Sequence, residues 1–310
     1  MIDIDDNKVA SRDFAKVLVM YGRMASVLAR IKYTMESAGV LPVGICVCAP
    51  SGVGKSSLCD YILRSNRANS TPEQERYDVI RVSLSPGALP EDVMRALLLQ
   101  MGIKDTRGYT KFSLEDFLYT QLRECEVRLI MIDEFQHLVR RSSRDVNEKA
   151  CDFVKTLMDI TGIPVILLGV EKGRKLFKLD DQLATRFSEI LTIERMGHSG
   201  LKSLPEFKKF LNDLQKLYPV ESIDWSKDEV ALRFLLASDG NLRRLKHILV
   251  QALMDSRKTA GKTLSLKDFE EAYMKVRGKE HKIFNQRGQL IKPFSSTLAC
   301  IKSAIEMKHA

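Results

Sequence analysis

Residues 43–57 read VGICVCAPSGVGKSS, and their pattern is the strongest indication of the fold. It begins with a short apolar run, which is typical of a strand buried in a parallel sheet. A loop rich in glycine and serine follows, and a helix is predicted over residues 56–64. This order of strand, loop and helix is that of a phosphate-binding loop. Residues 49–56 match its pattern, except that Ala49 stands where the first glycine is usual.

The residue types in this loop fit a nucleoside triphosphate. Gly52 and Gly54 allow the backbone to turn successive N–H groups toward phosphate oxygens, and the start of the following helix adds a positive dipole. We expect Lys55 to reach the β- and γ-phosphates and the Ser56 hydroxyl to ligate Mg²⁺. The predicted nucleotide-contacting run is Pro50, Ser51, Gly52, Val53, Gly54, Lys55, Ser56 and Ser57. The alternative is a glycine-rich turn that binds no ligand.

A pair of carboxylates follows a second apolar run, LIMIDE, residues 129–134. Ligands of open α/β sheets bind at the carboxyl ends of the strands, which is where Asp133 and Glu134 are predicted to emerge. We expect this strand to neighbour the first one, with Asp133 holding Mg²⁺ beside Ser56 and Glu134 polarising the attacking water. Adjacent acids favour triphosphate hydrolysis over kinase chemistry. The alternative is an ordinary strand followed by an acidic turn.

Apolar runs and helical patterns alternate through the first two thirds of the chain. Further strands are predicted over residues 79–84, 128–132, 163–168 and 190–193, with helices over 90–101, 113–126 and 146–160. Ser113 and Asp116 fit a capping arrangement for the second of these helices. Beyond about residue 197 the strand signals stop, and helices are predicted over 204–217, 227–238, 242–258 and 265–276, with a weak last helix over 296–307. The pattern predicts a parallel sheet covered on both faces, followed by an all-α domain.

Composition and charge narrow the class of protein. The 310 residues are 45% hydrophobic and 29% charged, which is ordinary for a globular chain. No apolar run reaches the roughly 18 residues of a membrane span. The acidic start and the scattered cysteines lead us to expect a cytoplasmic protein with reduced thiols. Of the net charge of +9, +8 falls in residues 201–310, which suits a polyanionic partner or simply a lysine-rich surface.

Two arginines are candidates for completing a nucleotide site. Arg243 follows Asn241 at a predicted helix start, from which it could reach a nucleotide as the helical domain closes. Its alternative is a solvated basic helix end. Arg186 precedes the fifth predicted strand, where it could enter the site of a neighbouring subunit as an arginine finger. Its alternative is a surface salt bridge.

The combination of APSGVGKSS, LIMIDEFQHL, IPVILLGVEKG, LATRF and GNLRRL resembles the TniB/TnsC branch of the AAA+ ATPases, the ATP-dependent regulators of DNA transposition. The resemblance extends over about residues 15–275. It implies an α/β P-loop NTPase (AAA+) fold, a parallel sheet with a small C-terminal all-α lid. The segments would be an N-terminal helical segment (1–42), a nucleotide-binding core (43–197), a helical lid (198–277) and a basic C-terminal tail (278–310).

The same resemblance implies ATP and Mg²⁺ as cofactors and a slow, regulatory hydrolysis. Carried over by position, the catalytic residues would be Lys55, Glu134, Arg186 as the finger and Arg243 as the lid arginine. Many AAA+ proteins also place a polar residue at the end of the fourth strand. Here that strand ends in Leu168 and Gly169, so Gln136 or Glu171 would have to substitute, and this role stays unassigned.

The resemblance further implies a homo-oligomeric ring or helical filament on double-stranded DNA. This assembly would recruit transposase subunits and respond to a target selector, either a protein or an RNA-guided complex, without a membrane partner. Basic residues near the predicted pore are candidates for contacting the DNA backbone: Lys104, Arg107, Lys111, Arg140, Arg141, Arg144 and Lys149. The alternatives are a helicase-loader or replication-initiator ATPase and a DNA scaffold that binds ATP without hydrolysing it.

Overall fold

A computed structural model describes residues 4–40, 42–66, 76–139, 144–256, 263–277 and 282–309. The chain forms two compact units. The first, the sheet unit, comprises Gly22–Ser51 and Lys55–Ile193. The second, the helical unit, comprises Met1–Tyr21, Gly52–Gly54 and Glu194–Ala310. The four segments expected from the sequence remain a prediction.

The elements are numbered along the chain. The strands are β1 (Gly44–Cys48), β2 (Val79–Ser83), β3 (Leu129–Asp133), β4 (Val165–Gly169), β5 (Phe187–Thr192), β6 (Ile283–Phe284) and β7 (Leu290–Ile291). The helices are α1 (Ile4–Lys16), α2 (Gly22–Glu36), α3 (Lys55–Ser65), α4 (Pro90–Gln100), α5 (Lys111–Glu124), α6 (Arg144–Thr161), α7 (Leu176–Leu179), α8 (Asp181–Arg186), α9 (Leu204–Gln215), α10 (Asp228–Ser238), α11 (Leu242–Asp255), α12 (Leu266–Arg277) and α13 (Leu298–His309).

A five-stranded parallel sheet in the order β2-β3-β4-β1-β5 forms the sheet unit. Strands β1, β3 and β4 are buried at every position, as their uninterrupted apolar runs require of strands covered on both faces. Side chains of α4 and α5 such as Leu97, Leu118 and Leu122 pack in the same core as Ile130 and Leu167. The predicted α/β parallel sheet is confirmed.

The strand order corrects one expectation. The strand bearing Asp133 was expected beside β1, but β4 lies between them: Leu167 pairs with Cys46 of β1 on one side and with Ile132 of β3 on the other. Because β4 is apolar along its whole length, a central position removes the most apolar surface from water. β4 therefore separates the acid pair of β3 from β1, the strand that precedes the phosphate-binding loop.

Helix starts depend on individual caps. The helix expected over residues 113–126 begins two residues earlier, because the Thr110 side chain accepts a hydrogen bond from Ser113 N. The predicted cap at Ser113 is therefore wrong. Asn241, by contrast, caps α11 as expected, since its Oδ1 accepts from Arg244 N at 3.0 Å.

An aromatic cluster holds the helical unit together. Trp225, Phe234 and Phe269 are fully buried, and their ring centroids lie 5.0–6.1 Å apart in edge-to-face pairs. Phe294, which lies beyond α12, joins them at 5.3 Å from Phe234. The buried Arg233 of α10 donates to the carbonyl oxygens of Pro293 at 3.2 Å and Ser296 at 3.0 Å. These contacts fasten the segment before α13 to α10.

The C-terminal segment contains strands that the sequence did not indicate. β6 and β7 form an antiparallel pair in which Ile283 faces Ile291. Each strand is two residues long, which is too short for an alternating pattern to be read. Among the described helices, none is long and apolar enough to cross a membrane.

Candidate nucleotide site

The phosphate-binding loop has the backbone that its glycines allow. Gly52 has φ +83° and Gly54 has φ 101°, both in the region that favours glycine. Lys55 is the first residue of α3, and it is only 5% exposed. Its Nζ donates to the carbonyl oxygens of Ala49 at 2.6 Å and Pro50 at 3.2 Å. The loop thus holds a buried ammonium group at the start of a helix, where an anion is favoured.

Within the helical unit, the loop tip meets the start of α11. Arg243 N donates to the Gly52 carbonyl oxygen at 3.1 Å. A Cβ at Gly52 would overlap the side-chain amide of Asn241, so this position has neither the backbone angle nor the space for a larger residue. The Arg243 side chain is exposed. The predicted role of this arginine stays a prediction.

Asp133 ends β3 as a buried carboxylate that is 1% exposed. Its Oδ1 accepts from Glu134 N at 2.9 Å, and its Oδ2 accepts from Arg81 Nη2 at 2.5 Å. Arg81 also donates to Asp60 Oδ1 of α3 at 2.7 Å. The guanidinium group therefore bridges two carboxylates of the sheet unit. A carboxylate offers about four acceptor positions, so Asp133 keeps capacity for a further ligand.

Arg81 is a site residue that the sequence motifs do not predict. The available signal was a cation in the middle of the otherwise apolar strand VIRVS. Burial alone would lower the pKa of this guanidinium. The neighbouring Cys59 and the carboxylates of Asp133 and Asp60 outweigh burial and raise that pKa. Arg81 is thus a permanent positive charge beside the acid pair.

Glu134 has left-handed backbone geometry, with φ 58°, which is uncommon for a residue with a side chain. It precedes a 3₁₀ turn, Phe135–Leu138. Gln136 Nε2 of this turn donates to Glu134 Oε2, and Gln136 Oε1 accepts from Val170 N at 3.1 Å. The second carboxylate of the pair is therefore connected to the end of β4.

Gly169 leaves the space that this connection needs. A Cβ at Gly169 would overlap Gln136 Oε1 and would lie 2.7 Å from Phe135 Cδ1. Both neighbours are buried, so neither can move aside freely. The glycine at the end of β4 is explained by the turn that packs against it.

Gly169→Ala is therefore expected to lower the free energy of unfolding by about 1–3 kcal/mol, the usual cost of overpacking a core. Urea denaturation measures it. The same substitution in a Gln136→Ala background should cost less, because one of the two overlaps is gone. An unchanged free energy of unfolding in Gly169→Ala would contradict this packing.

The donor types present fit a magnesium–nucleotide ligand. The Ser56 hydroxyl is exposed on the first turn of α3, and Asp133 supplies a carboxylate with spare acceptor capacity. Hydroxyl and carboxylate oxygens are ligands that Mg²⁺ prefers. The loop combines positive-φ glycines with a buried lysine, which suits phosphate oxygens. Pro50, Ser51, Val53 and Ser57 complete the predicted contact run along this loop.

Arg186, the predicted finger, lies in an ion pair of the sheet unit. Its Nε donates to Asp159 Oδ1 at 2.9 Å and its Nη2 to Oδ2 at 2.6 Å. Its Nη1 donates to the Gln182 carbonyl oxygen at 2.8 Å. The hydrogen bond from Arg186 lowers the pKa of the Asp159 carboxyl group. This arrangement matches the salt-bridge alternative within one subunit, and the role in a neighbouring site stays a prediction.

The candidate DNA-contacting residues lie in two regions of the sheet unit. Lys104 and Arg107 are exposed in the connection between α4 and α5, and Lys111 is the exposed first residue of α5. Arg107 pairs with Asp105 at 3.0 Å, and both side chains are largely exposed. Lys149 is exposed on α6, which begins at Arg144. Arg140 and Arg141 lie outside the described residues.

Comparison with solved structures identifies the fold. The Aeropyrum pernix ORC1 protein in complex with DNA is 17% identical, with a TM-score of 0.60 over 84% of this chain and 67% of that one. The A. pernix ORC2 protein in its ADP form is 15% identical, with a TM-score of 0.57 over 83% of this chain and 68% of that one. A single-residue variant of the Thermotoga maritima RuvB protein is 17% identical, with a TM-score of 0.50 over 83% and 70%. At these identities the likeness shows the fold alone, which is that of the AAA+ P-loop ATPases.

Sequence comparison identifies the family. Among curated proteins, none matches this chain. The family of the bacterial TniB protein matches residues 14–196, more than half of the chain. That range contains the phosphate-binding loop, the acid pair and Arg186. The chain therefore belongs to the bacterial TniB protein family, a group of AAA+ ATPases that regulate DNA transposition.

Proposed function

We propose that this chain is an ATP-dependent AAA+ ATPase that oligomerises on target DNA with little sequence preference and recruits or activates a transposase. One observation carries the proposal. This chain belongs to the TniB family, and its sheet unit places a buried lysine and a carboxylate pair at the carboxyl ends of parallel strands. The lysine is Lys55 of the phosphate-binding loop, and the carboxylates are Asp133 and Glu134. That edge is where open α/β sheets bind nucleotides.

The chain's residues have separable roles in this proposal. The Lys55 ammonium neutralises charge on the terminal phosphates, and the Ser56 hydroxyl and Asp133 carboxylate would hold Mg²⁺. When bound, Mg²⁺ supplies charge neutralisation to the phosphate oxygens. The Glu134 carboxylate accepts a hydrogen bond from the attacking water and holds it for in-line attack. Arg186 would serve a neighbouring copy, and Arg243 the chain's own nucleotide.

DNA contact is proposed for the exposed basic residues of the α4–α5 connection. Lys104, Arg107 and Lys111 fall within eight residues, and all three are exposed. Lysine and arginine side chains that contact the phosphates of the DNA backbone bind DNA without distinguishing its base sequence. Lys149, Arg140, Arg141 and Arg144 are further candidates for contacting the DNA backbone. Such binding suits a protein that takes its target site from a separate selector, whether a protein or an RNA-guided complex.

The Lys104→Ala, Lys111→Ala double variant should flatten the salt dependence of DNA affinity. Each lost phosphate contact reduces the slope of log affinity against log salt by about 0.9, so two contacts give about 1.8. Binding titrations over a range of NaCl concentrations measure the slope. The control is Lys172→Ala, Lys178→Ala, which removes the same charge from other exposed positions. Equal slopes in the wild type and in the Lys104, Lys111 variant would count against this surface.

Electron microscopy tests the proposal as a whole. The protein is imaged with a slowly hydrolysed ATP analogue and double-stranded DNA of random sequence. Rings or helical filaments around the duplex are expected, and they should be absent when either the nucleotide or the DNA is left out. Single particles without order on DNA, at saturating nucleotide, would contradict it.

A replication-initiator or helicase-loader role is the second candidate, since the fold resembles the A. pernix ORC proteins. The two roles differ in what they recruit. If the proposed role is right, purified transposase from the same transposon should bind the assembly of this protein on DNA. Binding of a replicative helicase, without binding of transposase, would favour the second candidate.

A further inference from the structure

The end of β4 presents no side chain toward the acid pair, because it ends in Gly169. The polar group found there comes from the 3₁₀ turn after β3. We propose that Gln136 is the positioning residue for Glu134, holding this carboxylate in the direction needed to orient water. The inference rests on the proposed ATPase function and adds to it a residue that sets the rate of hydrolysis.

The hydrogen bonds determine how the Gln136 amide is oriented. Val170 N is a backbone donor, so the atom it contacts at 3.1 Å must be the amide oxygen. The amide NH₂ group therefore points the other way, toward Glu134 Oε2, to which it donates. A backbone N–H of the sheet unit thus fixes the direction in which Gln136 donates. Within the part of the chain that the structure describes, no hydrogen bond reaches Glu134 Oε1, so this oxygen is left for another partner.

The Gln136 side chain is buried and tightly enclosed by its neighbours. Gln136 is 7% exposed and the adjoining Phe135 is fully buried. A Cβ at Gly169 would overlap the Gln136 amide, and a Cβ at Gly173 would overlap the Phe135 ring. Gly169 at the end of β4 and Gly173 in the 3₁₀ turn that follows thus make room for these two consecutive side chains. The amide has little freedom to adopt another rotamer.

Glu134 needs such a support. Its φ of 58° places it outside the regular strand, so β3 does not fix the direction of its side chain. Strained backbone of this kind persists where the surroundings hold it, and it clusters at functional sites. When a catalytic carboxylate is displaced by about 1 Å, the rate of the reaction can fall on the order of a hundredfold. The hydrogen bonds of Gln136 run to Glu134 and Val170, so we expect an effect on turnover rather than on nucleotide affinity.

Two variants separate positioning from a merely structural role. Gln136→Ala removes both hydrogen bonds. Gln136→Glu keeps the shape and an oxygen that can accept from Val170 N, but it replaces the donor to Glu134 with a second carboxylate. His137→Ala, at the next position of the same turn, is the matched control.

Three quantities are measured on the 310-residue chain: the rate of phosphate release at saturating ATP and Mg²⁺, the Kd of a slowly hydrolysed ATP analogue, and hydrogen exchange of the peptide containing Val170 without nucleotide. Turnover should fall at least about tenfold in both Gln136 variants, with the Kd unchanged within about twofold. Exchange at Val170 should accelerate in Gln136→Ala and stay close to wild type in Gln136→Glu. His137→Ala should behave as wild type throughout.

Distinct results overturn the inference. Wild-type turnover in Gln136→Glu would show that the donor to Glu134 is not needed, and faster turnover would show that it restrains the carboxylate; in either case the proposed ATPase would stand. An equal loss of nucleotide affinity would assign Gln136 to binding instead. A wild-type protein that bound ATP and released no phosphate would overturn the proposed hydrolysis and this inference together.

Discussion

Lys55→Ala is expected to abolish ATP-dependent assembly on DNA and to weaken ATP affinity by roughly a hundredfold or more. Removing one partner of a buried charge pair typically costs about 3 kcal/mol, which corresponds to that factor. Lys55 is 5% exposed, and its ammonium group is held against the Ala49 and Pro50 carbonyl oxygens. The variant therefore loses an ammonium group that the loop already holds out of water and in a fixed position.

Calorimetry with an ATP analogue gives the affinity, and electron microscopy with DNA gives the assembly. Because Lys55→Ala also leaves a void, Lys55→Met serves as a second variant that retains the alkyl volume without the charge. Both should lose nucleotide binding. Lys32→Ala removes an exposed lysine of α2 and should behave as wild type. Assembly of either Lys55 variant on DNA at wild-type nucleotide concentration would contradict the assignment of this lysine.

Glu134→Gln is expected to stop turnover while leaving nucleotide binding and DNA assembly intact. Losing the group that orients and polarises the attacking water typically costs about a hundredfold to ten-thousandfold in rate. The substitution preserves size, and the new amide oxygen can still accept from Gln136 Nε2, so the turn should keep its geometry. Asp133, with its bonds to Arg81 and to the backbone N–H of residue 134, is untouched.

Phosphate release in the presence of DNA measures turnover, and the same images as above measure assembly. Assemblies of Glu134→Gln should last longer than those of the wild type, since their nucleotide persists. Glu36→Gln, at an exposed position of α2, is the matched control. Undiminished phosphate release in Glu134→Gln would remove this residue from the mechanism. A wild type that assembles without releasing phosphate would favour the scaffold alternative.

The surroundings of Asp239 in the helical unit show which contacts a local sequence pattern predicts and which it does not. Asp239, at φ 57°, is the C-cap that follows α10, and it pairs with Arg195 at 3.0 Å and Lys308 at 3.1 Å. The predicted N-cap Asn241, two residues later, needed only its local pattern and is confirmed. The partners Arg195 and Lys308 are 44 and 69 residues away in sequence, and no local pattern indicates them. A third partner, Arg244 of α11, lies 3.6 Å away and is close to Asp239 in sequence.

The phosphate-binding loop, the acid pair, the parallel sheet and the family resemblance could all be predicted from the amino-acid sequence. Each of these depends on consecutive residues: an apolar run followed by glycines and Lys55, or an apolar run followed by Asp133 and Glu134. Short-range chemistry of this kind is visible in a window of a few residues. The helices that follow the sheet are visible for the same reason.

The groups that surround the acid pair could not be predicted in this way, because they are brought together by the packing of the sheet unit. β4 lies between β1 and β3, Arg81 reaches Asp133 from 52 residues away, and Gln136 meets Val170 across 34 residues. These contacts follow from strand order and from the space that Gly169 leaves, and both depend on how the whole sheet unit packs. A buried charge or amide takes its partner from the packed neighbours it meets, and the linear sequence does not name them.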